Sequence, residues 1–164
     1  MKALLFTLGM ASLHALTAQA GVDAACAPVV KAGLARAATP AWEAVTVMQP
    51  GNFRMETIQV GGQSYLRMNG ERWKKSPTDF NKAERQIAEQ INSGQVKLSQ
   101  CRDGGDSTID GMATRMVHYT VTLPGAPAAS ATLYVGKSDG LPYAQTTDTA
   151  KIRYRYRGVT APKP

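Results

Sequence analysis

Four cations alternate with apolar residues near the C-terminus: Lys151, Arg153, Arg155 and Arg157 bracket Ile152, Tyr154 and Tyr156. Successive side chains of an extended strand point to opposite faces, so the cations share one face and the tyrosines and Ile152 the other. Guanidinium groups bind phosphate and carboxylate through paired donors. The run is therefore an anion-binding candidate, for a head group or an acidic partner. The competing reading is an edge strand whose charges block aggregation. A second basic patch, Arg72, Lys74 and Lys75 around Trp73, adds to the first reading.

Other chemistry is sparse. Past residue 20 one histidine remains, His118. It sits in an alternating run, on the face of Met116, Thr120 and Thr122, opposite Arg115, Val117, Tyr119 and Val121. A serine hydrolase needs a nucleophile in a strained turn, and no Gly-x-Ser-x-Gly occurs. No catalytic residue is assigned, and the chain reads as a non-enzyme. Asp103, Asp106 and Asp110 surround Gly104-Gly105. Carboxylates in a Gly-rich loop can hold calcium, but this spacing follows no calcium loop, and such residues are the usual makeup of turns. The sequence therefore calls for no metal and no cofactor.

These residues need a compartment and a scaffold. Met1 and Lys2 precede an apolar run over Ala3–Leu16, followed by Ala18-Gln19-Ala20 and Gly21. This reads as a secretory signal peptide over 1–20, cleaved after Ala20, which directs the rest to the periplasm or outside. The run is too short to span a bilayer. Nineteen Lys and Arg face twelve Asp and Glu; with Lys2 in the leader, the remainder carries +6. Cys26 and Cys101 both follow the leader. An even pair in an exported protein reads as one disulfide; the alternative, a lipid on Cys26, lacks the usual upstream Leu. An exported protein rarely meets nucleic acid, so the basic charge points to anionic envelope surfaces or acidic proteins.

Residues 21–159 are long enough for a single domain with its own core, and the Pro-rich 160–164 reads as a disordered tail. Ala-rich 26–38 has helical spacing and ends at Thr39-Pro40. From Ala44 to Lys75 the pattern is strand-like, with turns at Pro50-Gly51-Asn52, Gly61-Gly62 and Asn69-Gly70. Phe80, Ala83, Ile87 and Ile91 recur at helical spacing behind the Thr78-Asp79 caps, and Gly94 stops that helix. Strands follow over Val96–Cys101, Met112–Leu123, Ala131–Gly136, Tyr143–Thr147 and Ala150–Gly158, with Arg102–Asp106 a polar loop. Helix, strands, helix, strands argues an α+β domain: a curved antiparallel sheet with two helices packed on one face.

Four patches carry a family resemblance: Phe53-Arg54-Met55-Glu56; the hairpin Ser64–Trp73; Asp110-Gly111-Met112-Ala113 leading to Tyr119; and Tyr134–Pro142, with its Asp139-Gly140-Leu141-Pro142 turn. Together with the element order they resemble the LolA-like envelope proteins, which include the periplasmic lipoprotein carrier, its outer-membrane receptor and mycobacterial lipid-binding lipoproteins. The resemblance implies a half-open barrel, covered by helices, that holds acyl chains. It makes the protein a binder of a hydrophobic or amphipathic envelope molecule such as a lipid or acyl chain. Trp42, Phe53, Trp73, Phe80, Ile87 and Ile91 would then line or lid the cavity, and Lys151, Arg153, Arg155 and Arg157 would engage a head group or partner. The alternative is a fully packed interaction domain docking through its basic strand on an acidic envelope protein or an anionic membrane surface.

Overall fold

Local chemistry sets the elements. A computed structural model describes residues 22–51 and 53–163; the predicted leader lies outside the described residues. Asp23 caps a 3-10 turn over Ala24–Cys26 by accepting from the Ala25 amide at 3.0 Å. Helix α1, Ala27–Ala37, follows with Pro28 in its first turn, where a missing N–H costs nothing. The Asp79 carboxylate accepts from the Asn81 and Lys82 amides at 2.9 and 3.1 Å and so starts α2, Phe80–Asn92.

The described residues form nine strands: β1 Ala41–Met48, β2 Phe53–Val60, β3 Gln63–Met68, β4 Lys74–Ser76, β5 Lys97–Ile109, β6 Met112–Thr122, β7 Ala129–Gly136, β8 Pro142–Thr147 and β9 Ala150–Arg155. All pairings are antiparallel, in one sheet of order β4-β3-β2-β1-β9-β8-β7-β6-β5. Two meanders, β1–β4 and β5–β9, are joined where β1 pairs with β9. Gly61 and Gly62 both take positive φ, 56° and 75°, and make the two-residue turn that holds Val60 opposite Gln63.

Three expectations need correction. The basic strand is no edge: β9 lies in the middle of the sheet between β1 and β8, so edge protection does not explain its charges. Nor is Arg102–Asp106 a loop. It continues β5, and the polar Gly-rich sequence is absorbed by register shifts between Ser99 and Arg102 and between Asp103 and Gly105. Gln100, at φ 53°, turns the first of these. The hairpin after Asn69-Gly70 is also looser than the sequence suggests, since β4 begins only at Lys74.

Both helices lie on one face of the sheet. Ala32 of α1 packs with Tyr119, Ala131 and Leu133, and Phe80 of α2 packs on Trp42, Ala44 and Tyr154. Gly33 lets the helices meet closely, because a Cβ there would overlap the Glu84 carboxylate. Arg36 of α1 pairs with Glu84 of α2, its guanidinium 4.9 Å from the Trp42 ring and 4.8 Å from the Tyr154 ring. Cys26 and Cys101 are joined as a disulfide, which ties the start of α1 to β5 across 75 residues of sequence.

Two stability outcomes follow. Replacing both Cys26 and Cys101 with serine removes the cross-link from the unfolded ensemble and lowers stability by about 2–4 kcal/mol; calorimetry with and without reductant should show a lower Tm, and an unchanged Tm would contradict this. Glu84→Ala leaves the Arg36 guanidinium, 14% exposed, without its anion. Denaturant unfolding should register a loss of about 3 kcal/mol, and Glu84→Asp should recover part of it.

Candidate functional site

The alternation of the strands sends one set of side chains toward the helices. Leu98 opposes Val121, and Leu133 lies between Val117 and Gln145 in register. These residues do not fill the space beneath the helices. A cavity of about 270 Å³ remains between α1, α2 and the sheet. Val29 and Val30 line it from α1, Ile87, Ala88 and Ile91 from α2, and Val96, Leu98, Tyr119, Val121, Leu123 and Leu133 from the sheet side. Ile87 and Leu123 are 44% and 51% exposed, so apolar surface reaches the solvent at the cavity's margin.

One stretch of the wall is polar: Arg36, Glu84, Gln90 and Gln145, with Tyr154 beside them. The Arg36 Nε is buried and has no hydrogen-bond partner among the described residues. Burial pushes the Tyr119 and Tyr154 phenols well above their ordinary range, so both remain neutral while the Arg36–Glu84 pair carries the charge. The site thus offers an apolar chamber with one ion pair and two amides, the composition of a pocket that holds an apolar body and fixes a polar end.

A wider groove of about 510 Å³ lies beyond the start of α1, between Ala25, Pro28, Val117 and Val135. Its walls carry the exposed Asp103–Arg115 ion pair and Lys137. Arg115 and the Gly105 amide hold the Asp103 carboxylate down at about 2, so it stays ionised and occupied by its partner. Asp106 is likewise engaged by Lys137 at 2.8 Å. The helix-covered cavity, enclosed by apolar side chains from three directions, is the better site.

The structure separates the residues that the sequence grouped. Ile87 and Ile91 line the cavity. Trp42 and Phe80 are instead packed against each other beside it, ring centroids 6.1 Å apart, with the Trp42 Nε1 donating to Asn81 Oδ1 at 2.7 Å. Phe53 opposes Met48 at the far end of β1, away from the cavity. Trp73 takes no part: Arg67 stacks on it at 4.6 Å, with Arg67 bonded to Glu56 on the sheet face turned from the helices. Lys151, Arg153 and Arg155 share that outer face, where Arg155 pairs with Glu43; Arg157 lies past the end of β9. His118 is also there, Nδ1 hydrogen-bonded to Thr132 Oγ1 at 2.8 Å. The strand residues of the cavity were missed, although the alternation Val117, Tyr119, Val121 marks one apolar face of β6.

No protein-family model matches the sequence, and no curated protein does. The fold has solved counterparts. The chain is similar to the Mycobacterium tuberculosis lipoprotein LppX, with a TM-score of 0.54 and 12% identity over 85% of this chain and 98% of that one. It is similar to LprF from Mycobacterium bovis to the same degree, TM-score 0.54, with 14% identity over 85% of this chain and 96% of that one. At such identities the likeness is one of fold. The open antiparallel sheet with two helices across one face is the LolA-like half-barrel.

Proposed function

We propose that the protein is an exported, envelope-located binding protein that holds a hydrophobic or amphipathic molecule, such as a lipid or acyl chain, between its helices and its sheet, and that it is not an enzyme. The observation that carries this reading is the apolar cavity left under α1 and α2. Apolar side chains lining a partly open hollow gain when an apolar guest displaces the water against them. The volume lies just below the range of about 300–1,000 Å³ typical of small-molecule pockets, so it suits a slim chain better than a bulky one. Arg36, with its unpartnered Nε, and the amides of Gln90 and Gln145 suit a polar or anionic head. Export is supported by the leader pattern over 1–20 and by the disulfide, which persists in oxidising compartments. The fold shared with LppX, a lipoprotein, agrees with that setting.

Native mass spectrometry of the protein expressed with its leader tests the reading. The expected spectrum shows a bound apolar molecule on a chain that begins at Gly21. Uptake of a fluorescent fatty acid by the delipidated protein should fall roughly tenfold in Ile87→Phe, where the larger ring occupies the cavity, while the far-ultraviolet spectrum is unchanged. A wild-type protein that carries nothing and takes up no probe would sink the proposal.

A further inference from the structure

The outer face of the sheet carries a charge pattern that the cavity does not use. Residues in antiparallel register share a face, so the pairings can be followed from strand to strand. One row runs Arg102, His118, Thr132, Thr146, Lys151, Val47, Arg54 across β5, β6, β7, β8, β9, β1 and β2. The next places Arg153 beside Val45, Glu56 and Arg67; a third places Arg155 beside Glu43, Ile58, Tyr65 and Lys75. Lys97, opposite Thr122, adds one more cation at the β5 edge.

Two carboxylates share these rows, and both are spent: Glu43 on Arg155, Glu56 on Arg54 and Arg67. The rows and Lys97 carry a net +6, or +5 with Asp148 at their border, and the remaining Lys and Arg of the described residues are matched in number by Asp and Glu. Asp148, at the β8–β9 turn, borders the Arg102–Thr146 row. The exposed large apolar residues are absent from the rows: Ile87 and Leu34 are on the helices, Leu123 at the cavity, and Met48 and Met68 on the helix-side face.

We infer that this face docks on an anionic phospholipid bilayer, its Lys and Arg side chains meeting lipid phosphates and its Thr and Ser hydroxyls donating between them. Cations spread along one face, on β5, β9, β2, β3 and β4, match a surface of many phosphates better than one small anion. Protein interfaces centre on exposed apolar and aromatic anchors, and here Ile58 is buried, Val45 and Tyr65 are half-buried, and the half-buried Trp73 is stacked by Arg67. None of the large exposed apolar residues lies on this surface, and its cations are what a membrane of negative charge attracts.

Co-sedimentation with vesicles tests this. The protein should bind phosphatidylcholine vesicles that contain phosphatidylglycerol, release them as salt rises, and ignore pure phosphatidylcholine. Arg102, Lys151 and Arg153 are exposed and in no ion pair among the described residues. Changing all three to Gln should weaken binding on the order of a hundredfold. Lys31→Gln/Lys82→Gln/Lys137→Gln removes the same charge from the helix side and should change it by less than about fivefold. Both variants should keep the wild-type circular dichroism spectrum and fatty-acid uptake, which separates this surface from the cavity. Equal losses in the two variants, or binding of an acidic polypeptide without binding of anionic vesicles, would overturn the inference.

Discussion

The pairing of β1 with β9 holds the architecture together. It joins the first strand of the described residues to the last, more than a hundred residues apart, and makes one sheet of two meanders. Without it each meander would end in an unpaired strand with open backbone groups. The seam is reinforced from above. Arg36 lies over Trp42 of β1 and Tyr154 of β9 and pairs with Glu84 of α2, so one buried side chain touches both sides of the joint and both helices. A guanidinium can do this because its flat face stacks on aromatic rings while its edge donates to a carboxylate.

The seam also explains why a cavity can persist. The helices are anchored at their ends and along one flank. Cys26 fixes the start of α1 to β5, and Phe80 fixes the start of α2 to Trp42. Gly33 and Glu84 hold the two helices together. Between these anchors nothing obliges the sheet residues to rise and fill the gap. Val, Leu and Ile side chains that would normally close on one another stand apart around a space.

Strand alternation then gives the two faces different work. The helix-side face is apolar beneath the helices, with the Arg36–Glu84 pair near its middle and the Asp103–Arg115 pair at the groove beyond α1. The outer face is hydroxyl-bearing and cationic, with Glu43 and Glu56 neutralised by neighbouring arginines. An antiparallel sheet with one face covered and the other in water permits such a division, and the same strands serve both. Tyr154 sits in the core while Arg153 and Arg155 point to solvent one residue away on either side.

Much of this was legible in the residues. Period-two and helical patterns located most strands and both helices, because burial on one face leaves a local imprint. The apolar face of α2, with Ile87 and Ile91 over the cavity, was read from four residues and their spacing. Two kinds of feature were not legible. Bulged β5 resembled a loop, because Gly104 and Gly105 with flanking aspartates are turn residues wherever no partner strand absorbs them. Trp42, Phe80 and Trp73 had the right character for a ligand site, but their roles depend on neighbours distant in sequence: Asn81, the seam and Arg67. The sequence by itself determined which side chains share a face, since that depends only on backbone period. The tertiary structure decided that the cationic strand is central, that the helices stop short of filling the sheet's hollow, and that cations scattered over the chain converge on one surface. Each of those rests on which strands pair, a long-range choice with no local signature.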